Sequence, residues 1–161
     1  VWIKNSYRGI LALDEFFDHK EFSGIKAIVL GGLPSKIFNQ IRNKKNFEIH
    51  DYVTTKQLEE YYANAHLFFY PTLNEGFGYP PLEAMKYGTP VIASSISAVK
   101  EVCEHSVLYF SPYSIEEMTT KLIQFQSMDY KIQKQKANNQ YYKIKKKQIK
   151  DLEKITKLIL N

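Results

Sequence analysis

Cysteine occurs once, at Cys103, so the chain cannot close a disulfide on itself and fits a reducing compartment. No apolar run approaches the roughly 18 residues that a spanning helix needs. G-x-G-x-x-G, G-x-x-x-x-G-K-[ST] and G-x-S-x-G are all missing. Their absence removes the main support for a nicotinamide dehydrogenase, a P-loop enzyme and a serine hydrolase. His19, His50, His66 and His105 stand at no metal-ligand spacing, so no metal centre is expected. The chain opens Val1-Trp2-Ile3-Lys4, without a methionine and without the apolar run of a signal peptide. More polypeptide is expected upstream.

What is present is ordinary for a globular chain: 44% hydrophobic and 24% charged residues. That composition excludes a disordered or collagen-like chain. The net charge of +5 is unevenly spread. Residues 1–130 carry 12 Lys and Arg against 15 Asp and Glu, whereas residues 131–161 carry 10 lysines against Asp151 and Glu153. The body is mildly acidic and the tail strongly basic. The tail has no arginine and only Tyr141-Tyr142 as aromatic neighbours, so no nucleic-acid partner is expected.

Short apolar runs alternate with amphipathic stretches. Residues 7–21 place Ile10, Leu11, Leu13, Phe16 and Phe17 at helical spacing, and Gly24 breaks them. Ala27 to Leu30 reads as a buried strand ended by Gly31-Gly32. Ser35 can cap a helix over 36–44. Phe47 to Val53 reads as a strand, and Thr54 or Thr55 caps a helix to about Ala65, with Leu58, Tyr61 and Tyr62 inward. Strands follow at 67–70, 91–93 and 107–110, with helices at about 81–87, 98–104 and 114–128. Ser114 and Glu117 stand as capping-box partners.

This order predicts an α/β fold: a Rossmann-like, doubly wound, mainly parallel sheet with helices on both faces. The first helix has no strand before it, although the first strand of such a sheet is usually central. A first strand upstream of Val1 is therefore expected. In residues 131–161 the strand alternation stops. Ile144, Ile149, Leu152, Ile155, Leu158 and Ile159 form a helical stripe, interrupted at Lys145-Lys146-Lys147. One or two helices are expected there. The organisation is a Rossmann-like domain over 1–128 and a basic helical tail over 129–161.

The chemistry concentrates in Asn74 to Met85, between a strand and a helix, where an open α/β sheet forms its ligand crevice. With Pro81 as the first helical residue, Pro80 is the N-cap and offers neither a capping side chain nor an N–H. The N–H groups of Leu82 and Glu83 are then left for an anion such as phosphate at the positive helix end. Gly76 and Gly78 let the backbone approach a ligand and adopt positive φ. Glu83 cannot complete a capping box with Pro80 and is free to accept from a diol such as a ribose. Glu75 can face the same crevice, where a carboxylate suits sugar hydroxyls or an oxocarbenium-like charge. Either glutamate alone reads more readily as a solvated surface group. Two glutamates, an aromatic between two glycines and a double proline together are specific.

His66 to Thr72, Glu75-Gly76-Phe77-Gly78, Pro81 to Met85, Gly88 to Ser94 and Glu101-Val102 resemble the donor half of family-4 retaining glycosyltransferases. The Glu75/Glu83 pair matches that family's E-x7-E signature, and the likeness runs over roughly residues 3 to 125. The resemblance implies the GT-B architecture of two Rossmann-like domains with the active site between them. This chain would be the nucleotide-sugar-binding C-terminal half, without its N-terminal GT-B domain. Glu83 would bind the nucleotide ribose and Glu75 would stand by the donor sugar. Gly76, Phe77 and Gly78 would offer backbone contacts to the sugar, and Leu82 an amide to the diphosphate. Lys4-Asn5 resembles the family's basic step, with Lys4 neutralising the donor phosphates, although Ile3 departs from the Arg of many members. Tyr52-Val53 resembles the segment beside the base, and Gly31-Gly32 the turn near the nucleotide.

The implied reaction moves a sugar, with retention, from a nucleoside-diphosphate-sugar donor to an acceptor hydroxyl. The acceptor would be a glycan or glycolipid in polysaccharide or glycolipid synthesis, and no cofactor or metal is expected. The implied location is the cytoplasm, with the tail either solvated or peripheral at the inner face of the membrane. Two rivals stand beside it. One is a sugar-nucleotide epimerase or phosphorylase on the same fold. The other is a non-catalytic donor-binding subunit that regulates or scaffolds a partner.

Overall fold

The computed structural model describes residues 4–160, Leu160 by its backbone alone. Ile3, singled out above, lies outside the described residues. Helix α1 (Ser6–Phe17) turns Ile10, Ala12, Phe16 and Phe17 inward, and a 3-10 turn at Lys20–Phe22 replaces the last turn that the periodicity predicts. Strands β1 (Ala27–Leu30) and β2 (Phe47–His50) pair in parallel, from Ala27 opposite Phe47 to Leu30 opposite His50. Between them the helix expected over 36–44 shrinks to α2 (Ser35–Phe38). Its N-cap is Pro34, with no side-chain bond. The Asp14 carboxylate takes the N–H groups of Arg42 and Asn43 at 3.1 and 2.8 Å, which a longer helix would have used.

Helix α3 (Thr55–Asn64) opens on a complete capping box between Thr54 and Gln57, which stabilises a helix start by about 1 kcal/mol. Strands β3 (Phe68–Tyr70), β4 (Val91–Ser94) and β5 (Leu108–Phe110) form a second parallel sheet in that order. Helices α4 (Tyr79–Lys86) and α5 (Ser97–Cys103) are its crossovers. In α6 (Ile115–Gln126) the Ser114 hydroxyl accepts from the Glu117 N–H at 3.0 Å. The tail is one helix, α7 (Tyr130–Leu160), because lysine is a good helix former and its run breaks nothing.

The five strands thus lie in two parallel pieces and not in one continuous sheet. Helix α1 joins them: Ala12, Phe16 and Phe17 share a cluster with Ala27 and Phe47 of the first piece and with Ile92 and Phe110 of the second. The other face of β3–β5 packs Tyr70, Val91 and Ala93 against Tyr62 of α3, Met85 of α4, Val102 of α5 and Ile144 of α7. Alternation along β4 sends Val91 and Ala93 to one face and Ile92 to the other. Helices therefore cover both faces, as a Rossmann-like domain requires. The expected burial of β1 does not hold, for Ile28 is 44% and Leu30 38% exposed; among the described residues this strand is paired on one edge only.

The first half of α7 lies on the body, where Gln140 Nε2 donates to the Val102 carbonyl at 2.6 Å. Beyond Ile144 the stripe residues Ile149, Leu152 and Ile155 are exposed. No helix among the described residues is long and apolar enough to cross a membrane.

Candidate functional site

Lys4 owes its place to the start of α1. Asn5 is the N-cap, buried and left-handed at φ 55°, a conformation that asparagine tolerates better than most residues. Its Nδ2 donates to the Pro112 carbonyl at 2.7 Å, just past β5. Further along the helix, Gly9 lies so close to the exit of β3 that a Cβ there would stand 2.6 Å from Pro71 Cγ. These two contacts draw the head of α1 to the carboxyl ends of β3 and β5.

Lys4 Nζ then reaches across the loop. It donates to Glu75 Oε2 at 2.8 Å and to the Tyr70 hydroxyl at 3.1 Å. The Tyr70 hydroxyl in turn donates to the same Glu75 oxygen. Lys4 and Glu75 are thus an ion pair, with Lys4 about half exposed and Glu75 mostly covered. The bonds from Lys4 and Tyr70 hold the Glu75 carboxyl below the ordinary carboxylate range. Burial pushes the Tyr70 phenol up, and the carboxylate of Glu75 adds to it. Partial burial opposes the charge of Lys4, but its bonds to Glu75 and Tyr70 prevail and raise its pKa. All three groups therefore keep the protonation state shown across the neutral range. The Thr72 hydroxyl, fully buried, donates to the Asn74 carbonyl at 2.9 Å and shapes the loop ahead of Glu75.

Helix α4 begins two residues before the predicted Pro81. Its N-cap is Gly78, with φ 95° and no capping side chain, not Pro80. The positive φ is what calls for glycine here; a Cβ would sit at an ordinary 3.6 Å from the Ala98 carbonyl oxygen. Pro80 and Pro81 occupy the second and third helical positions, where a missing N–H costs nothing. The donors ahead of the first intrahelical bond are those of Gly78 and Tyr79, because the two prolines have none. Leu82 and Glu83 move into the helix, where their N–H groups face the carbonyls of Gly78 and Tyr79 in a regular ladder. Leu82 is buried in the core. Gly76 does not share the positive φ, and a Cβ there would meet nothing within 4 Å.

The Glu83 carboxylate is exposed, and the buried Tyr62 hydroxyl of α3 points to its Oε2 at 3.5 Å. Burial first, then the Glu83 charge, raises the Tyr62 pKa. The two glutamates of the signature thus each meet a buried tyrosine from the layer beneath. Phe77 packs on the core, its ring centroid 4.6 Å from that of Tyr79. Gly31, Tyr52 and Val53 follow β1 and β2, at the carboxyl ends of the other sheet piece. Gly31 N–H and Gly32 N–H both donate to the His50 carbonyl, and Tyr52 is 83% exposed. Sequence reasoning read Tyr62 as packing and gave Tyr70 no role. A phenol on a buried surface needs a partner, and that signal was available at both positions. His66 stacks on Tyr130 at 4.2 Å, as a packing residue does.

Comparison with known proteins extends these findings. The family described as "Glycosyl transferases group 1" matches residues 8–148. The O-antigen chain mannosyltransferase RfbU of Salmonella typhimurium is 40% identical over 73 residues, 45% of this chain and 20% of that protein. Among solved structures, the α,α-trehalose 6-phosphate synthase of Burkholderia multivorans superposes on 100% of this chain and 42% of its own, with TM-score 0.71 and 9% identity. An E. coli trehalose-6-phosphate structure bound with UDP-2-fluoro glucose gives TM-score 0.73 and 13% identity, over 89% of this chain and 38% of its own. The chain thus spans under half the length of each of these proteins.

Proposed function

Because the chain belongs to the glycosyl transferases group 1 family, we propose that it is the donor-binding, C-terminal half of a GT-B protein of the family-4 retaining type. The reaction is transfer of a sugar from a nucleoside diphosphate to an acceptor hydroxyl. The observation that carries this reading is Glu75, fixed at the carboxyl end of β3 by Lys4 and Tyr70, one short loop before the uncapped start of α4.

The leaving diphosphate is an anion. Lys4, with the N–H groups of Gly78 and Tyr79 at the positive end of α4, stabilises the charge that develops on it. Glu75, kept ionised, faces the positive charge that grows on the sugar, and Gly76, Phe77 and Gly78 line its approach. The exposed Glu83 carboxylate accepts from the ribose hydroxyls, while Gly31, Tyr52 and Val53 flank the base. Leu82 supports the helix start from the core and leaves donation to Gly78 and Tyr79. RfbU is an O-antigen chain mannosyltransferase, so a nucleoside-diphosphate mannose is the first donor to try, and a growing polysaccharide the first acceptor. The edges of β1 and β3 that are unpaired among the described residues suit one parallel strand from a preceding segment. That strand would give the order β2-β1-new-β3-β4-β5 of a doubly wound sheet and make residues 1–128 one domain.

The test is titration of the full-length protein with a panel of nucleoside diphosphates, followed by turnover of the matching sugar nucleotides. Glu83→Ala is expected to weaken nucleotide binding by about tenfold or more. Glu75→Gln is expected to lower turnover by about a hundredfold while binding is kept. Wild-type protein that binds no member of the panel would sink the reading.

A further inference from the structure

The donor site described above uses two charged groups from distant parts of the chain, Lys4 and Glu75. Lys4 stands one residue ahead of the N-cap of α1 and Glu75 stands in the loop after β3. Something must set their separation, and the side chain between them is Tyr70. It ends β3, the strand from which the loop departs, and is only 6% exposed. Its ring stacks on Phe68, centroids 5.6 Å apart, and lies in the same cluster as Tyr62, Val91 and Ala93. The hydroxyl is therefore the rigid point of the triad. It donates to Glu75 Oε2 and accepts from Lys4 Nζ at 3.1 Å.

We propose that Tyr70 is a positioning residue of the donor site, whose hydroxyl fixes the Glu75 carboxylate and the Lys4 ammonium relative to each other on the rigid end of β3. The inference rests on the glycosyl-transfer reading. An ammonium carries three donors, and Tyr70 and Glu75 use two of them. Lys4 can therefore donate to a phosphate without letting go of Glu75. Tyr70 then keeps the carboxylate from following the ammonium towards the anion. Removing the hydroxyl leaves Glu75 to a flexible lysine and the neighbouring Gly76 N–H, so the cost falls on the chemical step and not on nucleotide binding.

The experiment is Tyr70→Phe in the full-length protein, alone and combined with Glu75→Gln, assayed with the sugar nucleotide that wild type turns over. Phenylalanine keeps the ring and its packing, and an unchanged unfolding midpoint confirms it. The single variant is expected to lose roughly tenfold to a hundredfold in kcat with donor KM within about threefold. In the Glu75→Gln background the same substitution is expected to cost no more than about twofold. Turnover that falls in Glu75→Gln but stays within about twofold of wild type in Tyr70→Phe overturns the positioning role and leaves the donor-site reading standing. An equal fractional loss in both backgrounds also overturns it, as a merely structural residue would give. Turnover indifferent to Glu75→Gln overturns both.

Discussion

Strands β1 and β4 are built from the same kind of residue, yet they end in different surroundings. Ala27-Ile28-Val29-Leu30 alternates between half-covered and exposed positions, while every residue of Val91-Ile92-Ala93-Ser94 is buried. The difference lies in their partners. β4 is paired on both edges and covered on both faces, by α1 and α6 on one side and by α3, α4, α5 and α7 on the other. β1 has β2 alone. An apolar run thus specifies a strand, and burial is decided by what arrives on either side. The Lys4–Tyr70–Glu75 triad stands on the closed piece, and the residues expected beside the base stand on the open one. On the proposed reading, the charges that meet the leaving group stand on the more enclosed piece.

The sharpest way to break this comparison is to remove bulk from each piece. Phe110 of β5 is fully buried, and Phe110→Ala is expected to cost about 3–5 kcal/mol in chemical unfolding of the 161-residue chain. Ile28→Ala, on the exposed face of β1, is expected to cost under about 1 kcal/mol. Equal costs would erase the distinction. A cost above about 2 kcal/mol for Ile28→Ala in a longer form of the protein would show that this face is covered there.

Next in size is the link between α1 and the loop ahead of β2. The Asp14 carboxylate, 3% exposed, accepts from the N–H groups of Arg42 and Asn43 and from the Asn43 amide. Burial alone would raise its pKa, but the N–H groups of Asn43 and Arg42 outweigh it and lower it. Asp14→Ala strands those donors and is expected to cost about 2–3 kcal/mol. A carboxyl whose pKa is lowered by folding stabilises fully above its unfolded value, and that contribution is lost as pH falls through the folded one. Wild type is therefore expected to lose stability below about pH 4 more steeply than Asp14→Asn. Parallel pH curves for the two would remove Asp14 from the account.

Much of this was legible in the residues. The strand at Ala27–Leu30, the Thr54 cap and the E-x7-E loop after a strand follow from local pattern, because each is set by neighbours in sequence. The misreadings have more than one cause, and the clearest is a distant group that outbids a local one. Asp14 takes the N–H groups that would have extended α2, 28 and 29 residues away. Gly78 starts α4 early because its positive φ ends the loop before the prolines are reached. The split of the sheet has no local sign, since strand pairing is not written in any one strand. Tyr70 falls in the strand read at 67–70 and local pattern gives its hydroxyl no role, since its partners lie 66 residues back and 5 residues on.

A smaller effect on stability than at Phe110 or Asp14 comes from the contact that ties α1 to the closed piece. A Cβ on Gly9 would meet Pro71 Cγ at 2.6 Å and Phe69 Cε1 at 3.4 Å. The proline ring cannot turn aside, so in Gly9→Ala the helix must shift. Overpacking of this kind costs about 1–3 kcal/mol, and the better helix propensity of alanine returns about 1 kcal/mol. The net loss in unfolding free energy is expected to stay below about 2 kcal/mol. The effect on function is larger than that number suggests, because α1 carries Lys4 at its head. A helix displaced by a few tenths of an ångström moves the backbone that carries Lys4 and alters how its ammonium meets Glu75 and Tyr70. Turnover of the full-length protein is expected to fall roughly tenfold, less than the hundredfold that a misplacement of about 1 Å can cost. A variant that unfolds like wild type and turns over like wild type would mean that α1 is free to move, and that the closed piece does not hold Lys4 through Gly9.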